Sequence, residues 1–254
     1  MSNALFVRLN RNNWTMAFLH ALQGVLVLLL SRNFRLPVTT NYLTFNASSQ
    51  SLVPDQSVLF HVSLPWMVAI FFFLSALAHL VIATVYRKTY EADLVKGINK
   101  ARWIEYSLSA SVMMVAIAML VGVYDISSLL MIFALTAGMN LMGLVMEIHN
   151  QTTKRTNWLS FLIGCKLGAV PWVVIVIYFW ASSHFGSGQI PTFVYYIFGS
   201  IFVFFSVFAV NMWLQYKKIG PWKDYLYGER AYIVLSLLAK SALAWQVFAG
   251  TLRP

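Results

Sequence analysis

The order of apolar and polar positions divides the chain into seven long apolar runs, at residues 12–31, 64–86, 101–122, 126–147, 158–181, 190–216 and 231–252, each ended by charged or turn-forming residues. Each is about the length that an α-helix needs to cross the hydrocarbon of a bilayer, roughly 20 residues. The pattern predicts an all-α membrane protein: one seven-helix domain over residues 1–254. The first run passes directly into Arg32 and Arg35 without a small-residue cleavage site, so it is expected to stay as a span. One long loop, about 30 residues, separates the first two runs. Within it "LPVTTNYLTF" combines β-branched and aromatic residues with flanking turn formers, and predicts a short β-hairpin. The triplet "NAS" at Asn46 matches a glycosylation pattern too common by chance to carry weight. No internal repeat or low-complexity tract is visible.

Composition agrees with this solvent. Apolar residues make up 59% of the chain and charged ones 10%, and the mean hydropathy of +0.70 exceeds what a water-soluble core requires. Cys165 is the only cysteine, which excludes an intrachain disulfide and a cysteine-based metal site.

Charge sets the expected orientation. With a cytoplasmic N-terminus, 13 Lys and Arg fall on inner segments (Arg8, Arg11, Arg87, Lys88, Lys96, Lys100, Arg102, Lys154, Arg155, Lys217, Lys218, Lys223 and Arg230) and 3 on outer ones (Arg32, Arg35 and Arg253). Basic residues accumulate on the cytoplasmic side of short loops, so the N-terminus is expected inside and the C-terminus outside a multi-pass cell-membrane protein. The net charge of +10 is then a topology signal with some attraction to anionic lipid. Nucleic-acid binding is a poor reading, because the basic residues are scattered over four membrane-edge segments.

Lys240, in "VLSLLAKSALAWQVFAG", lies 10 residues beyond Arg230 and 13 before Arg253. At helical rise that is roughly 15 and 20 Å from the nearest edge charges, too deep for its stem to carry the ammonium to either interface. A charge at that depth costs several kcal/mol and marks a functional candidate. Of the eight carboxylates, Asp55, Glu91, Asp93, Asp125, Asp224 and Glu229 fall in loops or at span ends, and Glu147 ends the fourth run. Glu105, one turn inside the third run, is left as the expected partner. Helical spacing pairs Glu105 with Ser109, Ser75 with His79, His20 with Gln23, and Ser236 with Lys240. These stripes could surround one cavity opening from Lys240 toward the cytoplasm. Each also has a plainer reading. A membrane serine commonly bonds its own or a neighbouring helix, a buried histidine is commonly a packed hydrogen-bonding group, and Lys240 with Glu105 could be a structural ion pair. Lys166, in "LIGCKLGAVPW", lies nearer its helix end and reads as snorkelling or packing.

Two explanations keep an amine in the middle of a span. Lys, Glu and His could relay protons or bind an anion along a transport path, or the amine could form a Schiff base with an aldehyde while a carboxylate holds it protonated. A lysine in the last of seven spans and an acid in the third favour the second.

The stretches "RWIEYSLSASVM" (102–113) and "GERAYIVLSLLAKSALAWQVFAGTL" (228–252) resemble the heliorhodopsins, seven-helix retinal proteins oriented opposite to ordinary microbial rhodopsins. The resemblance covers essentially the whole chain and accords with the charge bias. It implies a rhodopsin-like bundle, all-trans retinal attached to Lys240, and Glu105 as counterion. Ser236, Ser75, Ser109 and Tyr106 would form the hydrogen-bond network of the Schiff base, with His20, His79 and Gln23 in an inner cavity that receives its proton. Met113, Met139, Trp172, Phe205 and Met212, with Tyr106 and Ser109, would line the retinal pocket. Met212 stands where Gln is expected in relatives and Thr136 where Asn is expected, which bears on colour more than on chemistry. The implied activity is not that of an enzyme: photoisomerisation drives Schiff base proton transfer and a slow conformational signal without net pumping. A homodimer and an unidentified cytoplasmic signalling partner are further implications. Light-driven or light-gated ion transport is the alternative, and a light-independent transporter or receptor a third class that predicts no visible band with retinal.

Overall fold

A computed structural model describes residues 3–186 and 192–254. Among the described residues, eight α-helices run in the order α1 (Asn3–Leu30), α2 (Leu64–Ala83), α3 (Arg87–Val95), α4 (Lys100–Leu120), α5 (Ile126–His149), α6 (Leu159–Phe185), α7 (Thr192–Lys217) and α8 (Tyr225–Val247), with a hairpin of β1 (Arg35–Asn46) and β2 (Ser51–Ser63) after α1. A 3-10 turn at Gly220–Lys223 leads into α8, and a π-helical turn at Phe248–Leu252 ends it. All but α3 are long and apolar enough to cross a membrane, seven in all, and the chain is an integral multi-pass membrane protein. The expected start of the sixth run at residue 190 lies outside the described residues.

The helices begin where side chains can satisfy free backbone donors. Asn99, Asp125 and Asp224 accept from the backbone N–H of Arg102, Ser128 and Leu226 at the starts of α4, α5 and α8, and Pro65 opens α2, where its missing N–H costs nothing. Large apolar side chains such as Phe18, Leu29, Trp66, Leu130, Val173 and Val203 remain exposed on the bundle's outside, as a lipid-facing surface requires.

Alternation of the spans gives two ends. One, the basic end, carries the N-terminus, α3 and the α5–α6 and α7–α8 connections. The other carries the hairpin and the C-terminus, tied together where the Arg32 N–H donates to the Leu252 carbonyl at 2.8 Å. The expected hairpin fills most of its loop, with antiparallel pairing from Arg35↔Ser63 to Asn46↔Ser51 and a bulge at Val38/Thr39. It is anchored at its base: Leu36 and Val38 are buried, and the Thr39 N–H donates to the Tyr124 carbonyl at 2.9 Å. The short helix α3 was not evident from the apolar runs, since it lies within the polar segment after the second one.

Candidate functional site

α4 and α8 run in the same direction, and Asn99 at the start of α4 is level with Glu229 of α8, its Nδ2 donating to Glu229 Oε1 at 2.7 Å. Six residues on along α4 is Glu105; seven on along α8 is Ser236. Helical side chains lean toward the N-terminus, so Lys240, one turn beyond Ser236, returns its ammonium to that same level. Lys240 Nζ donates to Ser236 Oγ at 2.8 Å and lies 3.2 Å from Glu105 Oε1. Ser75 Oγ of α2 donates to that same carboxylate oxygen at 2.6 Å. The amine is 3% exposed, so water contributes little to its neutralisation. The Tyr106 ring stands 5.2 Å from Nζ, a cation–π distance, while its hydroxyl points away and donates to the Tyr232 carbonyl at 3.0 Å.

The other anticipated residues lie at several places around this pair. His20 and His79 are buried and stacked, ring centroids 5.7 Å apart; His79 Nδ1 pairs with Asn13 Oδ1 at 2.7 Å, and neither nitrogen of His20 has a partner among the described residues. Asn13 Oδ1 can only accept, which places the proton on His79 Nδ1 and leaves Nε2 as the acceptor. Gln23 accepts from Trp245 Nε1 at 3.0 Å and ties α1 to α8. Met113, Met139 and Phe205 line, with Tyr106, Ser236 and Lys240, a cavity of about 50 Å³, and Met212 lines an adjoining one of about 100 Å³ that shares Tyr106, Met139 and Phe205. Trp172 lines neither and packs edge-on against Phe205 at 5.7 Å. Ser109 is buried, and its hydroxyl makes no hydrogen bond with a described group. Lys166 is exposed on the outside of α6, in agreement with a snorkelling side chain.

One reading from the sequence needs correction. Position at span ends set Glu147 and Glu229 aside and left Glu105 as the one deep acid, yet both are 1% exposed. They grip Arg102, itself buried, through one guanidinium nitrogen each. Glu147 also accepts from the Asn99 N–H (2.9 Å), Trp103 Nε1 (2.7 Å) and the Tyr225 hydroxyl (3.1 Å), and Glu229 from the Tyr90 hydroxyl (3.1 Å). Every partner of the two carboxylates is a donor, and the Arg102 guanidinium between them supplies the matching positive charge. Burial, and next the Glu229 charge, hold the Tyr90 hydroxyl well above its ordinary range, so it remains a donor. Between this cluster and Glu105 lies an opening of about 20 Å³ touched by Asn13, His79, Glu105, Arg102, Tyr90 and Glu229, room for about one water. Asn140, lining both cavities beside Met139, was also missed. Its signal is a lone amide within an apolar run.

A deep amine held by one carboxylate and one hydroxyl, beside a slot walled by Met and Phe, suits a cationic nitrogen carrying an elongated apolar group. None of the curated proteins compared with the chain matches it. A family model described as Heliorhodopsin matches residues 9–252, nearly the whole chain. The chain therefore belongs to the heliorhodopsin family, light-sensing proteins of the microbial rhodopsin type that use a retinal chromophore.

Proposed function

We propose that this protein is a photoreceptor in which Lys240 carries all-trans retinal, Glu105 is the counterion, and light produces a slow conformational signal without net ion pumping. The observation that carries the reading is the buried Lys240 amine, 3.2 Å from Glu105 and facing the Met113–Met139–Phe205 cavity. The residues fit the group. The polar groups are one amine, one carboxylate, the Ser236 and Ser75 hydroxyls and the Asn140 amide, beside a slot otherwise walled by Met, Phe, Tyr and Ala. The two adjoining cavities fall below the 300 Å³ or so usual for a ligand pocket, and unbranched Met139 and Met212 are the side chains able to shift and join them.

When bound, retinal supplies visible absorption, a light-driven change of shape, and an aldehyde carbon that condenses with an amine to leave a cationic nitrogen. Lys240 provides that nitrogen, and Glu105 Oε1 neutralises it. Ser236 accepts its proton in a hydrogen bond, and Ser75, donating to Glu105, spreads the carboxylate's charge. Moving the Lys240 nitrogen away from Glu105 weakens this Coulombic hold and frees the proton. His79 Nε2 and the one His20 nitrogen that carries no hydrogen are imidazole bases available on the basic side. Toward the hairpin most packed side chains are apolar, among them Phe71, Phe72, Met114, Ile117, Leu243 and Val247, and the polar ones, Ser109, Ser111 and the Gln23–Trp245 pair, include no carboxylate. A pump needs a proton path on both sides of the nitrogen, and this packing supports signalling over pumping.

Lys240→Ala protein reconstituted with all-trans retinal is expected to give no visible band; a surviving band refutes the attachment. Ion transport is the second reading, favoured by the polar opening between Glu105 and the Arg102 cluster. Illumination under voltage clamp is expected to give no current, and a sustained photocurrent would replace signalling with transport.

A further inference from the structure

A cavity of about 500 Å³ lies at the basic end, walled by the α3–α4, α5–α6 and α7–α8 connections. Lys96, Lys154, Lys218 and Lys223 line it, no Asp or Glu does, and none of the four makes an ion pair with a described residue. Trp222 and Tyr225 add aromatic wall.

Topology alone does not gather these charges. Lys96 and Lys218 follow the C-termini of α3 and α7, where the helix dipole favours a cation. Lys223 lies just before the Asp224 cap of α8, where the dipole opposes one, and Lys154 lies in the α5–α6 connection away from any helix C-terminus. Basic side chains could satisfy an inside-positive bias anywhere on this face, as exposed Lys88 does. Four ammonium groups around one concavity repel one another and find no internal counter-charge. An anion from outside would supply it.

We propose that this cavity binds a phosphate-bearing small molecule or headgroup with at least two negative charges. Lysines act as point charges on phosphate oxygens, and the volume suits a small molecule and not a folded partner. The site also touches the photosite's surroundings: Tyr225, in its wall, donates to Glu147, which holds Arg102 one turn from Glu105.

The test is calorimetric titration of the full chain with pyrophosphate in neutral phosphatidylcholine nanodiscs. Saturable one-to-one binding is expected, weakened about tenfold by Lys154→Gln with Lys223→Gln and unchanged by Lys88→Gln. All three positions are exposed, so the variants are expected to fold, and circular dichroism checks it. In nanodiscs containing cardiolipin, whose headgroup bears two phosphates, an apparent Kd for pyrophosphate raised beyond that in phosphatidylglycerol nanodiscs of equal surface charge identifies a lipid headgroup as occupant, and a Kd equal to that in phosphatidylglycerol identifies a soluble phosphate compound. Absence of saturable binding, or equal weakening by Lys88→Gln, overturns the proposal. Neither outcome touches the Lys240 assignment, which is read from the visible band.

Discussion

Glu105 stands between two donors, Lys240 and Ser75, on the same oxygen. A counterion and a structural ion pair differ in what its loss does. Glu105→Gln is expected to leave a pigment whose visible band is shifted; an unmoved band assigns neutralisation to another anion. Arg102 offers the contrast. Its removal leaves Glu147 and Glu229 buried without their cation, and Arg102→Leu is expected to cost about 3–5 kcal/mol in stability, read by thermal melting. The Lys240–Glu105 pair was legible in the sequence because depth along a helix follows from counting residues. The Arg102 cluster was not. Whether a carboxylate at a span end meets water or a guanidinium depends on α3, α5 and α8 closing over it, and no count along one helix contains that.

Between elements, close approach decides what fits. The Trp103 ring of α4 lies where a Cβ on Gly143 of α5 would stand. Gly143→Ala is expected to destabilise by about 1–3 kcal/mol and to displace Trp103 from Glu147, visible as altered tryptophan fluorescence. At the other end Asp125 caps α5, accepts from the Ser127 hydroxyl, and receives Asn41 Nδ2 of the hairpin at 3.1 Å. Those bonds, the Ser127 one first, lower its pKa below the ordinary 3.8, so its stabilising effect is present above that pH and is lost as pH falls through the lowered value. Asp125→Ala is expected to cost about 1 kcal/mol at neutral pH, with the difference from wild type vanishing in acid melts. The hairpin was foreseeable from β-branched alternation. Its docking on the α4–α5 connection was not, because that contact joins residues over 80 positions apart.

For the whole molecule, the proposed orientation rests on basic residues at one end. A protease-cleavable N-terminal tag is expected to resist cleavage in intact cells and yield after permeabilisation; the reverse pattern would invert the assignment. The homodimer remains a proposal, supported by Leu43, Phe45, Leu52 and Phe60 left exposed on the hairpin.

By itself the sequence determined the solvent, the number of spans and the depth of Lys240, because hydrocarbon thickness and helical rise convert residue counts directly into position. The tertiary structure decided the rest: which acids close on Arg102, which polar groups are left without partners, and where four lysines meet around one cavity. Those outcomes depend on the lateral order and relative height of helices, which are fixed by packing between segments far apart in the chain.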